Sequence, residues 1–191
     1  KSIKGVLPEK KQSELVLFAL NKHTDAKEHL SFIQPLLAGK NMGLMSEAGC
    51  PGVADPGAVI VKLAHEKGIQ VIPLVGPSSI LLAMMASGMN GQSFTFNGYL
   101  PIDKGEKKSA LKSLEKLSFD KNQSQIFIET PYRNNKLLED ILQALQPTTH
   151  LCIATDITLP TEYIKTLRVA DWKKTKVDLH NRPTIFIIHK M

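Results

Sequence analysis

Arginine is scarce in this chain of 191 residues: among its 24 lysines and arginines, only Arg133, Arg168 and Arg182 are arginines. Bidentate arginine is the commonest reader of base edges, so no DNA partner is expected. Cysteine is scarcer still. Cys50 and Cys152 stand about a hundred residues apart, with no metal-ligand spacing around either. That excludes a disulfide framework and points to a reduced, cytoplasmic protein. Long apolar runs are missing as well. Ile80–Ala86 is among the longest, far short of the roughly 20 residues that span a bilayer, so no membrane is expected. The six histidines show no paired spacing, and no metal is expected. Neither a G-x-G-x-x-G fingerprint nor a G-x-x-x-x-G-K-[ST] loop occurs, which removes specific support for dinucleotide or triphosphate binding.

What the chain does have is an ordinary globular composition, 42% hydrophobic and 22% charged, which excludes a disordered chain. Its net charge of +6 permits an anionic partner without demanding one. The polar, lysine-rich residues 1–13 read as a loop. Beyond them, Glu14–Leu20, Met42–Ser46 and Ile69–Leu74 are expected as buried strands. Thr24–Leu37, Ala58–Lys67 and Pro77–Ser87 are expected as helices, with Thr24 as an N-cap and Gly68 and Gly88 as stops. Strands and helices alternating over short connections predict a mainly parallel sheet. After Gly91 the pattern changes. Phe94–Leu100, Ser124–Glu129, His150–Ile157, Glu162–Val169 and Pro183–His189 read as strands, and Lys104–Leu117 and Arg133–Leu145 as helices. Successive strands with no helix between them predict antiparallel pairs and a mixed sheet. The expected fold is α/β in two lobes, residues 1–91 and 92–191, with a ligand cleft between them.

Three strand-to-helix connections concentrate residues suited to a ligand. Ser46–Gly57 follows a strand and carries Gly49, Gly52, Gly57, Pro51 and Pro56. Glycine lets a backbone approach a ligand closely or take positive φ, and proline fixes the loop's shape beforehand. Open α/β sheets bind ligands at this carboxyl end of their strands. The same composition also suits a loop that only connects two elements. Pro73–Ser79 offers Gly76 for close approach, Pro77 for a first helical turn, and Ser78 and Ser79 beside free helix amides. Such a start can hold a carboxylate or phosphate, or can simply be capped. Ile126–Arg133 sets Glu129, Thr130, Tyr132 and Arg133 where strand meets helix. Tyr132 can stack on a planar ring and Arg133 can pair with an acid, while Glu129 equally suits a helix cap.

These segments, with two more, occur in a telling order. Ser46-Glu-Ala-Gly-Cys-Pro-Gly-Val-Ala-Asp-Pro-Gly57, Pro73-Leu-Val-Gly-Pro-Ser-Ser79, Ser87-Gly-Met89, Phe94-Thr-Phe-Asn-Gly-Tyr-Leu-Pro101 and Phe127-Ile-Glu-Thr-Pro-Tyr-Arg133 resemble the tetrapyrrole (corrin/porphyrin) methylase family. They look closest to its branch of small-subunit rRNA 2′-O-ribose cytidine methyltransferases. The resemblance covers nearly the whole chain after Asn21. It implies two α/β lobes, a homodimer, and S-adenosylmethionine held between the lobes. By position the cofactor residues would be Ser46, Glu47, Ala48, Gly49, Cys50 and Pro51, then Gly76, Pro77, Ser78 and Ser79. Thr130, Pro131, Tyr132 and Arg133 would follow, with Pro183 and Thr184 on the lead-in to the last strand. The acceptor implied is a ribosomal RNA ribose hydroxyl, or else a tetrapyrrole or other small molecule. A non-catalytic cofactor-binding module is a third reading. The family's first strand would precede Lys1. The RNA branch usually has Asp and Thr where this chain has Glu47 and Cys50, and a further helical domain would follow Met191.

Methyl transfer from a sulfonium is an in-line displacement, in which the protein chiefly positions the acceptor and excludes water. A ribose hydroxyl loses its proton as the oxygen–methyl bond forms, so a base can assist. The sequence does not identify that base, and Glu47 and Glu129 are the carboxylates to test. Asp55 and Asp156 suit acid–base work or a turn equally well. Cys50 has no recognisable base to make it a nucleophile. Lys104, Lys108, Lys112 and Lys116 recur every four residues opposite Leu111, Leu114 and Leu117. That pattern is first a solvated helix face, and second a track for RNA phosphates. Met84, Met85 and Met89 are expected to fill core.

Overall fold

The computed structural model describes residues 15–21, 23–47 and 49–191. The expected loop over residues 1–13 and Glu14, which opens the first expected strand, lie outside the described residues. Contacts divide the chain into two compact units, Lys1–Gly76 and Pro77–Met191.

The second unit is built on one five-stranded sheet. Its strands are β1 (Phe94–Tyr99), β2 (Ser124–Ile128), β3 (His150–Thr155), β4 (Tyr163–Arg168) and β5 (Thr184–His189), in the order β1-β2-β5-β3-β4. The pair β1–β2 is parallel, and the other three pairs are antiparallel, so the sheet is mixed as expected. A parallel pair needs a crossover, and α5 (Lys104–Lys121) supplies it. Helix α6 (Asn134–Ala144) links β2 to β3, and the short α7 (Val169–Trp172), which the pattern did not signal, follows β4.

Alternation along the strands builds two cores. Phe127, Leu151, Ile153, Phe186 and Ile188 pack with Leu111 of α5, Leu137 and Ile141 of α6 and Trp172 of α7. Ile126, Cys152, Ala154, Ile185 and Ile187 pack with Ala83 and Met84 of α4 (Ser79–Ser87). Each fully buried side chain of this size contributes about 1.5–3 kcal/mol. Phe127 and Phe186 are register partners, with rings 6.0 Å apart and nearly parallel. Trp172 keeps its indole N–H paired to the Leu151 carbonyl at 2.8 Å. On α5 the lysines at 104, 108, 112 and 116 are exposed and Leu111 is buried. Two charges on that helix turn inward. Lys107 meets Asp140 at 3.4 Å, and Glu115 accepts the Gln146 N–H at 2.8 Å and the Thr149 hydroxyl. Of the three methionines expected in the core, Met84 is buried and Met85 is exposed.

The first unit contains α1 (Ala26–Phe32), α2 (Gln34–Leu37) and α3 (Ala58–Glu66), around a small core of Phe32, Ile33 and Ile60. Helix α1 is capped by Asp25, one residue after Thr24. The Asp25 carboxylate accepts the Lys27 N–H, and Glu28 reaches back to the Asp25 N–H. Among the described residues of this unit no strand forms. Residues 15–20, Met42–Ser46 and Ile69–Leu74 carry no ladder, and Val16, Leu17, Ile72 and Leu74 are exposed. The mainly parallel sheet expected within residues 1–91 is therefore not observed there. An apolar run becomes a strand only when a neighbour takes up its backbone groups, and pattern does not specify that neighbour. The division at Gly76 falls upstream of the expected boundary near Gly91, because α4 packs on the sheet of the second unit. No described helix is long and apolar enough to cross a membrane.

One buried titratable group makes the second unit sensitive to acid. Ser124 Oγ spends its hydrogen on the Asn90 carbonyl at 2.9 Å, so at 3.3 Å it accepts from His189 Nδ1. Burial, and then the neighbouring His150, hold the His189 pKa below its ordinary 6.5. The unfolded chain takes a proton as the pH falls through that value, whereas the folded chain refuses it until lower. The stability involved is complete above the unfolded pKa and is lost as the pH falls toward the folded one. Unfolding free energy in urea is expected to decline as the pH falls through about 6.5, and to decline less in His189→Gln.

Candidate functional site

In the first unit, the loop Ser46–Gly57 is organised by Asp55. Its Oδ1 accepts the Gly52 N–H at 3.0 Å and the Gly57 N–H at 2.8 Å. Burial raises this carboxyl's pKa, but the two amides and a hydrogen bond from the Ser46 side chain outweigh it and hold the net value below the usual range. Asp55 is thus a turn-forming residue, one of its two expected readings. Gly57 is glycine for the loop's own sake. A Cβ there would lie 2.7 Å from both Asp55 Oδ1 and Leu44 Cδ2. Gly49 holds φ at +74°, which a side chain would strain. Glu47 and Pro51 are exposed and Cys50 is half-buried. Ala48 lies outside the described residues. At Gly76, as at Gly43, a Cβ built on the backbone meets no atom within 4 Å, and φ is not positive. The protein's own packing therefore does not require glycine at 76.

In the second unit, antiparallel pairing gathers several expected residues at one end of the sheet. Ile128 pairs with Ile185 and Thr155 with Thr184, so the exits of β2 and β3 flank the lead-in to β5. Glu129 is buried, and its Oε1 accepts the Thr130 N–H at 2.7 Å and the Thr130 hydroxyl at 3.1 Å. It thus pairs with its neighbour's amide and hydroxyl and caps no helix that follows. Pro131–Arg133 forms a 3₁₀ turn leading into α6. Arg133 donates from Nε at 3.2 Å and Nη2 at 2.8 Å to the Tyr132 hydroxyl, and lies 5.1 Å from the centre of that ring. The hydrogen bond from Arg133 is the first cause holding the Tyr132 phenol below its ordinary pKa. Thr184 Oγ1 lies 2.9 Å from both the Arg182 carbonyl and Thr155 Oγ1.

Arg182 is a structural clamp at this end. Its Nε meets Asp156 Oδ2 at 2.8 Å, Nη1 the Asp178 carbonyl at 3.0 Å and Nη2 the Thr161 carbonyl at 2.7 Å. The hydrogen bond from Arg182 is the first cause holding the Asp156 carboxyl below its usual range. Asp156 too is therefore a turn residue, not a free acid or base. Helix α4 begins after Ser78, whose Oγ lies 3.5 Å from the Leu81 N–H. Its last residue, Ser87, accepts from Thr166 at 2.7 Å, nearer the His150 end of the sheet. The Ser78–Ser79 amides are thus directed toward the end that holds Thr155 and Thr184, and a helix start there suits an anionic group. The sequence reading missed Asn134 and Asn135, which tie the Arg133 turn to residues 178–182. Two asparagines at a helix start were the available signal. Among the described residues, no three His, Cys, Asp or Glu side chains group as a metal site would.

This mixed sheet, with ligand-suited turns at the ends of its strands, is that of a known class: the chain belongs to the Tetrapyrrole (Corrin/Porphyrin) Methylases, whose family model matches residues 2–172. Among curated proteins it is 34% identical over 176 residues to the Ribosomal RNA small subunit methyltransferase I of Buchnera aphidicola subsp. Schizaphis graminum. That match takes in 91% of this chain and 60% of the relative, so the chain spans about three fifths of that protein's length. Among solved structures it is similar to the methyltransferase CobJ, at 16% identity and a TM-score of 0.64, covering 97% of this chain and 79% of that one. It is also similar to uroporphyrin-III C-methyl transferase from Thermus thermophilus complexed with S-adenyl homocysteine. That likeness has 16% identity and a TM-score of 0.50, over 86% of this chain and 73% of that one. At such identities the two structures speak for the fold alone.

The open space at Gly76 generates a test. Gly76→Val places its Cβ where no atom of the protein lies within 4 Å, so the thermal midpoint is expected to stay within about 2 °C. If a ligand backs onto that glycine, calorimetric affinity for S-adenosylhomocysteine falls at least tenfold, about 1.4 kcal/mol. Unchanged affinity would move the ligand elsewhere.

Proposed function

We propose that this chain is the cofactor-binding part of an S-adenosylmethionine-dependent methyltransferase acting on a ribose 2′-hydroxyl of small-subunit ribosomal RNA. The observation that carries this reading is the likeness, over nine tenths of the chain, to a ribosomal RNA small subunit methyltransferase. The residues suit the cofactor. Gly76 has room beside it, Tyr132 presents an exposed ring for an adenine-sized plane, and the start of α4 offers amides to a carboxylate. In this reading Ser46–Pro51, Gly76–Ser79, Thr130–Arg133 and Pro183–Thr184 hold it. Bound there, the cofactor supplies an electrophilic methyl on sulfonium sulfur. This chain's own work is then to orient the acceptor hydroxyl, exclude water and receive a proton.

Of the two carboxylates considered for that proton, Glu129 already accepts two hydrogen bonds from Thr130 and is buried, whereas Glu47 is exposed. We therefore assign the base role to Glu47. A cytoplasmic homodimer belongs to the same reading, supported by the family likeness. The lysine face of α5 supports an RNA partner. Lys104, Lys108 and Lys112 are exposed and make no ion pair among the described residues, while Lys116 pairs with Asp120 at 3.4 Å.

The deciding measurement is transfer of labelled methyl from S-adenosylmethionine to small ribosomal subunits lacking this modification. Label is expected in rRNA, and label entering a tetrapyrrole or other small molecule instead would refute the RNA acceptor. If α5 contacts phosphates, RNA affinity falls with salt by a log–log slope of roughly −0.7 to −0.9 per contact. Replacing Lys104, Lys108 and Lys112 together by Gln is expected to flatten that slope by about two to three units, with cofactor affinity unchanged. An unaltered slope would return these lysines to a solubilising role.

A further inference from the structure

Beyond the paired residues of β2 and β5, two consecutive asparagines hold the chain to itself. Asn134 is fully buried at the start of α6, and its Nδ2 donates to the Arg182 carbonyl at 2.7 Å. Asn135 Oδ1 accepts the Leu179 N–H and its Nδ2 donates to Asp178 Oδ1, both at 2.8 Å. The Asn181 N–H closes on the Pro131 carbonyl at 3.1 Å. Ladder register between the strands ends at Ile128 opposite Ile185. What aligns residues 131–135 with residues 178–182 is therefore this set of ties. Asn134 is the fully buried side chain that makes one of these ties, and out of water direction and distance are most strictly held. Its Oδ1 has no hydrogen-bond partner, so the Arg182 carbonyl is the one group this side chain serves among the described residues.

We propose that Asn134 is a positioning residue for the cofactor: by clasping the Arg182 carbonyl it sets the Thr130–Arg133 turn against the Pro183–Thr184 lead-in, so that S-adenosylmethionine meets both as one preformed surface. The inference rests on the proposed function. A surface ordered in advance spares the ligand the entropy of ordering it, so loosening the clasp is read as lost affinity. The fold does not depend on the clasp alone, because the same carbonyl also accepts Thr184 Oγ1 at 2.9 Å.

Asn134→Asp tests this. The side chain keeps its shape, but a carboxylate cannot donate to a carbonyl, whereas its protonated form can. Burial beside a carbonyl oxygen disfavours the charged carboxylate and raises its pKa above the usual value of about 3.9, so S-adenosylhomocysteine affinity by calorimetry is expected to fall about tenfold at about pH 8 and to recover toward wild type as the pH falls to about 5. The charged groups around the clasp are Arg133 and Lys136 on its own turn and helix, Glu129 after β2, Asp156 after β3, and Asp178, His180 and Arg182 in the facing loop. All are common to both proteins, so recovery is read as the ratio of variant to wild type at each pH. Amide exchange at Asn181 is expected to quicken at about pH 8 and to slow again relative to wild type at about pH 5. Asn134→Ser, too short to reach the carbonyl, is expected to lose affinity at both pH values, and it decides the matter should the aspartate variant not fold. A folded variant with wild-type affinity, or a loss in Asn134→Asp that ignores pH, assigns the clasp to stability alone and overturns the proposal. If wild type binds S-adenosylhomocysteine while the variants match it, this inference fails by itself. If wild type binds none, the proposed function fails with it.

Discussion

Strand β5 is hydrogen-bonded along both edges, to β2 on one side and β3 on the other, and all six of its residues are buried. A central strand has no route to water for its backbone groups, so every N–H and C=O must be met by a neighbour in register. Slippage by one residue would exchange its two faces, sending Phe186 and Ile188 away from α5 and α6 and toward α4. Register here is consequently strict. Because β5 runs against both neighbours, that register brings its first residues beside the last residues of β2 and β3. The arrangement of Glu129, Thr155 and Thr184 at one end of the sheet follows from this pairing and not from local sequence.

At that end polar groups leave the ladder and enter a low-dielectric setting, where an unpaired one is costly. Each has been given a partner from its surroundings. Glu129 is met by Thr130, Thr155 by Thr184 and Asp156 by Arg182. The consequence for chemistry is a division of labour. Side chains that looked like acids and bases in the sequence turn out to hold the backbone in shape, as Asp55 does for its loop and Asp156 for the turn after β3. The groups proposed to face a ligand are backbone amides, an exposed phenol, the exposed Glu47 carboxylate and open space beside glycine. That inventory suits positioning a reactive cofactor, with Glu47 assigned to receive the proton.

The second unit was largely legible in the sequence. The apolar runs within Ser124–Ile128 and Thr184–His189, and the four-residue lysine spacing on α5, are local signals that the structure repeats as almost wholly buried strands and an exposed lysine face. Reading failed where a partner was required. Met42–Ser46 and Ile69–Leu74 have the composition of buried strands, but among the described residues they carry no ladder. Lys107 lies between exposed lysines and is nonetheless buried against Asp140, because α6 brings a carboxylate there. Asn134 and Asn135 were unremarked, since their partners lie more than forty positions away in the chain.

By itself, then, the sequence determined the α/β class, the bounds of most elements in the second unit and the motifs that mark its family. These follow from periodicity, glycine and proline placement and turn chemistry, which act over a few residues. Only the tertiary structure decided that β5 lies between β2 and β3, that α4 belongs with the second unit, and that Asp55 and Arg182 are spent on holding loops. Those outcomes depend on which distant groups satisfy one another's hydrogen bonds out of water, and that is settled only when the chain has packed.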